Sequence, residues 1–166
     1  MTFVYTQPYI VVGGFLVRDG KILLIQENHF PDKGKWNVPA GKLNVGEHII
    51  DAAIREVREE AGLSFTPTAI LGIHSIYRKD ASVEVHALRI IFVGDSAGDV
   101  DLSNGEPVNG EAEISDYTWL SPEKILEMDD SLFRYHDIKK LTENFLSNKT
   151  YPLEILQHMD QFSEHT

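Results

Sequence analysis

Short apolar runs separated by turn residues predict strands near the start of the chain. Tyr9–Val17 and Lys21–Gln26 are rich in Val, Ile and Leu, and they flank Arg18-Asp19-Gly20. Because Asp-Gly favours a tight turn between two strands, we expect an N-terminal β-hairpin. The segment Asn28–Gly46 is rich in Pro and Gly and predicts a loop, interrupted by a short strand at Trp36-Asn37-Val38.

Further strands are predicted later in the chain. Thr68–Tyr77 and Val83–Val93 are apolar, and in the second Val83, Val85 and Ala87 alternate with polar residues. We expect these two strands to pair antiparallel across Lys79-Asp80-Ala81. A polar stretch follows, and Asp116–Leu120 is interpreted as the last strand.

The hydrophobic period changes to that of a helix over Glu47–Ala61. One apolar face is formed there by Ile50, Ala53, Ile54, Val57 and Ala61. Gly62 follows at the position of a helix C-cap. This segment is therefore predicted to be an α-helix that packs through one side.

The C-terminal part of the chain predicts two more helices. Ser121 is a good N-cap and Pro122 suits the first helical position, so a short helix should run to about Met128. A longer helix is expected after a cap at Asp130 or Ser131, because apolar residues recur at helical spacing at Leu132, Tyr135, Ile138, Leu141 and Phe145. The apolar segment Tyr151–Leu156 should pack on the rest of the protein.

Length and composition limit the class of protein. A chain of 166 residues with 42% apolar residues predicts a single domain over residues 1–166, with mixed α/β architecture. The net charge of −11 argues against stable nucleic-acid binding, which needs a surplus of Lys and Arg. The absence of cysteine excludes disulfides and thiolate sites. With no run long enough to span a bilayer, we expect a cytoplasmic protein without membrane attachment.

Acidic residues concentrate on the predicted helix. Glu56, Glu59 and Glu60 share its side opposite the apolar face. Converging carboxylates repel one another unless a cation neutralises them, and a hard divalent ion with oxygen ligands fits them best. We expect Mg²⁺, with Mn²⁺ as a possible substitute. The alternative is a solvated helix face with pairs such as Arg55 and Glu59.

The sequence of this stretch resembles the Nudix box, Gly-x5-Glu-x7-Arg-Glu-U-x-Glu-Glu-x-Gly-U, in which U is an aliphatic residue. Every defined position of the pattern matches over residues 41–63: Gly41, Glu47, Arg55, Glu56, Val57, Glu59, Glu60, Gly62 and Leu63. The chain is similar to Nudix (MutT-like) hydrolases. The resemblance implies the Nudix fold, a mixed β-sheet sandwiched between helices, with a helical C-terminal segment at about residues 122–166.

The resemblance also implies roles for residues. Metal ligands would be Glu56, Glu59 and Glu60, with the Gly41 carbonyl as a further ligand. Arg55 would orient the glutamates by pairing with Glu47.

The general base is expected outside the box. Glu113 is preferred over Glu111, because its spacing from Trp119 resembles that of many relatives. Positioning of the water by Glu59 or Glu60 remains the alternative.

Residues outside the box complete the expected site. Trp36 and Asn37, just before the box, resemble a segment that lines the substrate cleft, and Arg18 and Tyr77 are further candidates for substrate binding. Arg78, His86 and Phe92 are weaker candidates.

The implied reaction is hydrolysis of a phosphoanhydride bond in a nucleoside di- or triphosphate or another small X-linked diphosphate by an activated water. The closest resemblance is to bacterial nucleoside tri- and diphosphatases and to thiamine or hydroxymethylpyrimidine pyrophosphatases, carried by Trp36–Gly41 and by Tyr151–Glu154. ADP-ribose is disfavoured, because Arg78 and Lys79 stand where such enzymes carry a proline. We expect a small-molecule substrate and a monomer or homodimer. The alternative is a non-catalytic Nudix-fold module that binds a ligand.

Overall fold

A computed structural model describes residues 3–4, 7–80, 83–105, 107 and 110–160 of the chain. Within them the strands are β1 Phe3–Val4, β2 Tyr9–Arg18, β3 Lys21–Glu27, β4 Trp36–Asn37, β5 Ala40–Lys42, β6 Ser64–Lys79, β7 Val83–Ala97 and β8 Ile114–Leu120. The helices are α1 Ile49–Ala61, α2 Pro122–Glu127 and α3 Asp137–Leu146. Single 3-10 turns occur at Leu102–Asn104, Asp130–Leu132 and Leu153–Ile155.

The strands form a mixed sheet. β7 lies between β6, which is antiparallel to it, and β2, which is parallel. β2 and β3 pair antiparallel at Val17 with Ile22 and at Arg18 with Lys21, so the predicted N-terminal hairpin is confirmed. The predicted antiparallel pairing of β6 with β7 is also confirmed, and both strands are longer than expected; Ala81 of the turn lies outside the described residues. β3 continues the sheet by pairing with β4 and β8.

Helices cover both faces of this sheet, because successive side chains of each strand point to opposite faces. The core on one face joins β2 and β3 to α1, through Val12, Leu16, Leu23, Ala53 and Val57. The core on the other face joins the same strands to α2 and α3, through Phe15, Ile22, Leu24, Ile125, Ile138 and Leu141. The expected mixed α/β sandwich is therefore confirmed.

Helix α1 is predicted correctly except at its start. It begins at Ile49 rather than at Glu47, with His48 as N-cap residue. Its end at Ala61 is as expected, and Gly62 takes the left-handed backbone (φ 70°) of a C-cap glycine. Gly14 of β2 lets α1 approach the sheet, since a Cβ there would lie 2.7 Å from Val57 Cγ2.

The loop predicted between Asn28 and Gly46 is partly wrong. Ala40–Lys42 forms β5, which pairs antiparallel with Val11–Gly13. The short strand expected at Trp36–Val38 ends at Asn37. The partner of β5 lies almost thirty residues earlier in the chain. The Pro and Gly content of the segment is that of a loop, and local composition does not reveal such a distant pairing.

The longer C-terminal helix is also predicted wrongly at its start. Asp129 accepts hydrogen bonds from Ser131 and closes the 3-10 turn Asp130–Leu132, and α3 begins only at Asp137. Between them the backbone is held to the sheet, because Arg134 N donates to Trp36 O at 2.9 Å. Helical spacing cannot reveal such a long-range contact.

The short helix at residues 122–127 and the C-terminal segment follow the prediction. Ser121 caps α2 through its side chain, which accepts from Lys124 N. Tyr151 pairs with Ile70 through two backbone hydrogen bonds, and Leu153 and Leu156 pack against the core on the α1 side. None of the helices in the described part of the chain is long and apolar enough to cross a bilayer.

Candidate active site

The site begins where strand β5 meets helix α1. Gly41 lies on β5 against the carboxylate of Glu56, and a Cβ at this position would overlap both Glu56 oxygens. Glu56 is buried at 8% exposure. The glycine of the box therefore leaves room for a carboxylate directly against the strand backbone.

Arg55 holds the carboxylates of the box together. Its Nε and one terminal nitrogen donate to both oxygens of Glu47, at 2.7 and 2.9 Å. The other terminal nitrogen donates to Glu56 at 2.6 Å and to Glu59 at 3.0 Å. The hydrogen bond from Arg55 lowers the pKa of Glu47, and the pairing that the resemblance implies is thus present. One guanidinium fixes three carboxylates.

Two of the box glutamates are poorly suited to carry full charge in this arrangement. Burial raises the pKa of Glu56 to about 7 despite the hydrogen bond from Arg55, and the charges of Glu59 and Glu113 add to the shift. Burial also raises the pKa of Glu60 well above its usual value, and the charges of Glu27, Glu56 and Glu113 reinforce this. Glu60 accepts a hydrogen bond from Ala40 N at 2.7 Å. The negative charges here exceed what Arg55 can neutralise.

Glu113 faces the box from the other side of the site. Its backbone carbonyl accepts from Asn28 N at 3.0 Å, and Asn28 Nδ2 donates to Ala112 O at 2.8 Å, so the loop before β8 is fixed to the end of β3. Burial and the charge of Glu27 raise the pKa of Glu113. Glu111 is exposed and is not among the described residues that line the cleft.

A cleft of about 480 Å³ opens at this point. Glu56, Glu59 and Glu113 form one part of its wall with Gly41. The cleft is also lined by cationic and aromatic side chains: Tyr9, Phe30, Lys42, Arg78, Arg134 and Tyr135. A second recess of about 530 Å³ shares Glu59 and Glu113 with the cleft and is lined also by Asn44, Arg55, Arg58 and Asn104. The carboxylates thus stand between two cavities.

The two arginines of the cleft belong to a connected set of polar side chains. Asp32 accepts from Arg78 at 2.8 Å and lies 3.3 Å from Arg134, which donates to Glu27 at 2.8 Å. Although burial opposes their charge, these carboxylates hold the pKa of Arg78 and Arg134 above the usual value. Both guanidinium groups are therefore fixed and charged in the cleft.

The same set continues into the core behind the cleft. Asn37 donates to Glu27 at 3.0 Å and accepts from the fully buried Arg89 at 3.4 Å. Arg89 in turn donates to Asp137 at 3.1 Å, and its guanidinium lies 4.2 Å from the centre of the Tyr135 ring. We name as the arginine network the set Glu27, Asp32, Asn37, Arg78, Arg89, Arg134 and Asp137.

The substrate-binding candidates outside the box lie apart from the cleft wall. Asn37 is fully buried within the arginine network, and Trp36 packs partly buried against the core. The guanidinium carbon of Arg18 lies 5.0 Å from the centre of the Trp119 ring. Arg18 is at the opposite end of β2 from Tyr9, about 30 Å along the strand. Tyr77 is 60% exposed and donates to Glu84. None of these four is among the described residues that line the cleft.

Sequence reasoning missed Glu27, Asp32 and Arg134 as residues of the site and treated Arg78 as a weak candidate. The sequence predicts a helix around Arg134, and an arginine in a helix carries no signal of its own. Only its partners, more than a hundred residues away along the chain, mark it as part of the site.

The architecture and the carboxylate arrangement define the class of protein to which the chain belongs. A family model described as NUDIX domain matches residues 8–141. The chain is a member of the Nudix family, as the resemblance over residues 41–63 implies.

Individual relatives extend this likeness. The chain is 35% identical over 112 residues to an ADP-ribose pyrophosphatase of Methanocaldococcus jannaschii. This match covers 68% of this chain and 64% of that protein. It is 28% identical over 151 residues to phosphatase NudJ of Escherichia coli K12, covering 90% and 91%. A solved structure, a NUDIX hydrolase from Nitrosomonas europaea, superposes with a TM-score of 0.78 at 31% identity and covers 92% of this chain and 98% of that one. The chain thus spans less than two thirds of the archaeal relative.

Proposed function

We propose that this protein, as one domain over residues 1–166, hydrolyses a phosphoanhydride bond in a nucleoside di- or triphosphate or another small X-linked diphosphate. The observation that carries the proposal is the cleft in which Glu56, Glu59 and Glu113 face the fixed guanidinium groups of Arg78 and Arg134. A diphosphate needs positive partners for its oxygens and a base for the attacking water. This cleft offers groups for both.

A divalent metal fits the carboxylate side of the cleft. The structure contains more carboxylates there than cations, and burial together with the charges of Glu59 and Glu113 raises the pKa of Glu56. Glu56, Glu59 and Glu60 with the Gly41 carbonyl would hold Mg²⁺, or Mn²⁺ in its place, since hard cations prefer oxygen ligands. When bound, the ion would neutralise phosphate oxygens and make a water easier to deprotonate.

The residues of this chain would divide the remaining work. Arg55 keeps the carboxylates of Glu56 and Glu59 oriented through the hydrogen bonds described above. Glu113, whose pKa is raised by burial, would accept the proton of the attacking water. Arg78 and Arg134 would hold phosphate oxygens or the group attached to them, because planar guanidinium groups suit such oxygens.

The two cavities on either side of Glu59 and Glu113 support an X-linked diphosphate as substrate. Such a molecule carries groups on both sides of the bond that breaks. The larger aromatic surface, Tyr9, Phe30 and Tyr135, lies in the cleft, which we assign to the ring-bearing part of the substrate. The polar second recess would hold the phosphate group on the other side of the bond that breaks.

Substrate selectivity is expected to be broad. The cleft offers charges and aromatic surface, and neither reads a base edge strongly, so related substrates should differ by about tenfold to a few hundredfold. The relatives point the same way, since one is named for ADP-ribose and another only as a phosphatase. ADP-ribose therefore belongs in any substrate panel, although Arg78 and Lys79 replace the proline expected of that subgroup.

Phosphate and pyrophosphate release from such a panel with Mg²⁺ tests the proposal. Nucleoside di- and triphosphates, thiamine pyrophosphate and ADP-ribose should be included. Glu113→Gln should lower kcat by about 10²-fold, as loss of a general base does, whereas the matched control Glu111→Gln in the same loop should stay near the parent. No turnover of any substrate would favour a ligand-binding module, and equal effects of the two variants would remove Glu113 as the base.

A further inference from the structure

A group of metal-ligand side chains lies outside the candidate active site. His48, at the N-cap of α1, meets His158 and Asp160 of the C-terminal segment, more than a hundred residues later in the chain. One ligand atom from each of the three lies within 4.8 Å of the others, the only such group among the residues that the structure describes. All three side chains are exposed to solvent.

The two imidazole rings are arranged face to face. Their centroids are 3.4 Å apart and their planes differ by 15°. His158 Nε2 lies 2.7 Å from Asp160 Oδ1. A tetrahedral ion with bonds of about 2.0–2.1 Å to two imidazole nitrogens separates these nitrogens by about 3.4 Å. Because an ion lies in the plane of each imidazole that binds it, the stacked rings must turn about their side-chain bonds before two of their nitrogens face one point. Both side chains are exposed, which leaves room for this rotation.

The surroundings favour a cation in spite of the helix terminus. The N-terminus of α1 carries a partial positive charge, which by itself disfavours a metal ion. The carboxylates of Asp51, in the first turn of α1, and of Asp160 offset this partial positive charge. A recess of about 320 Å³ lined by His48, Asp51 and His158 leaves space for the ion and for water as a further ligand.

We propose that His48, His158 and Asp160 form a second metal site, for a first-row transition ion of the Zn²⁺ class, that ties the C-terminal segment to the start of α1. Imidazole nitrogen prefers Zn²⁺, Ni²⁺ or Cu²⁺, whereas Mg²⁺ prefers oxygen, so the site differs in ion from the carboxylates of the box. The C-terminal segment already packs on the same side through Leu153 and Leu156. The metal adds a clamp to that packing, whether or not the protein hydrolyses a diphosphate.

Zinc titration of the tag-free protein tests the site. With Mg²⁺ in large excess to occupy the box glutamates, calorimetry should show one equivalent of Zn²⁺ bound. His48→Gln and His158→Gln should each weaken it by about tenfold or more, since each removes a ligand. His136→Gln changes another exposed histidine and serves as the matched control, with affinity near the parent.

Thermal melting and proteolysis distinguish a metal site that holds the C-terminal segment in place from non-specific zinc binding. Without zinc, both ligand variants should melt within about 1 °C of the parent, because exposed side chains contribute little. Zinc should then slow chymotryptic cleavage after Leu156 and Met159 by about tenfold in the parent and leave both ligand variants unchanged. Absence of zinc binding, an equal loss in His136→Gln, or cleavage that zinc does not slow would each overturn the proposal.

Discussion

The two sides of the cleft are built in different ways. The carboxylates of the box come from one helix and the turn before it, within residues 41–63, and Arg55 connects them over short distances along the chain. The arginine network draws on β3, β4, β6, β7 and the segment around α3, with partners separated by up to 107 positions. The first is formed by residues close together in the chain, and the second exists only when the whole sheet is assembled. Substitutions at the buried end of the arginine network should therefore mainly lower stability, and substitutions in the box should mainly lower activity.

The largest effect is expected on stability, from the buried end of the network. Asp137→Asn leaves the fully buried Arg89 without its countercharge, which should lower the free energy of unfolding by about 3 kcal/mol at neutral pH. Burial opposes the ionisation of Asp137, but Arg89 and His74 outweigh it and lower its pKa. A lowered pKa stabilises the folded state above the unfolded value of about 4 and ceases to do so as pH falls through the folded value.

Urea unfolding of parent and Asp137→Asn from neutral to acidic pH measures this. The difference between them should shrink as the pH falls below about 4, because Asp137 of the parent then loses its charge. Asp130→Asn, at an exposed residue paired with Lys139, is the control and should change stability by less than about 1 kcal/mol. A difference between parent and Asp137→Asn that does not depend on pH would show that packing, and not charge, is responsible.

The next effect is expected on activity, from the box. Glu59→Gln removes a charge from the proposed metal site and should reduce turnover by about 10²-fold or more. The metal-free variant should be no less stable than the parent, because the ion pair of the half-exposed Glu59 with Arg55 contributes little and a crowded negative charge is removed. Thermal melting with and without Mg²⁺ checks both parts, since Mg²⁺ should raise Tm much less in the variant. A destabilised variant with nearly full activity would assign Glu59 to a structural pair.

The smallest effect is expected where the two regions meet. Arg78→Met removes one fixed cation from the cleft and should raise KM about tenfold with kcat within about threefold, the pattern of lost ground-state binding. Lys79→Met is the control, because the neighbouring cation is 62% exposed and pairs with Glu84. Steady-state kinetics on the best substrate of the panel decides the matter. An unchanged KM would confine Arg78 to holding Asp32.

The sequence predicts the local region well and the dispersed one poorly. Helix α1 and the position of Gly62 follow from apolar spacing and capping, because both are properties of consecutive residues. β5 and the start of α3 depend on partners far along the chain: Val11–Gly13 for Ala40–Lys42, and Trp36 for the backbone of Arg134. The roles assigned to Glu56, Glu59, Glu60 and Glu113 stay predictions until the variants are measured.

The backbone contact between Trp36 and Arg134 limits how this protein can diverge. Side chains in the stretch between α2 and α3 can change freely wherever they face solvent, but the number of residues in it is fixed by the hydrogen bond that sets Arg134 against the sheet. An insertion or deletion between residues 129 and 134 is expected to displace the arginine from the cleft without touching any residue of the box. Homologues of different length here are therefore expected to have moved to other substrates while keeping their glutamates intact.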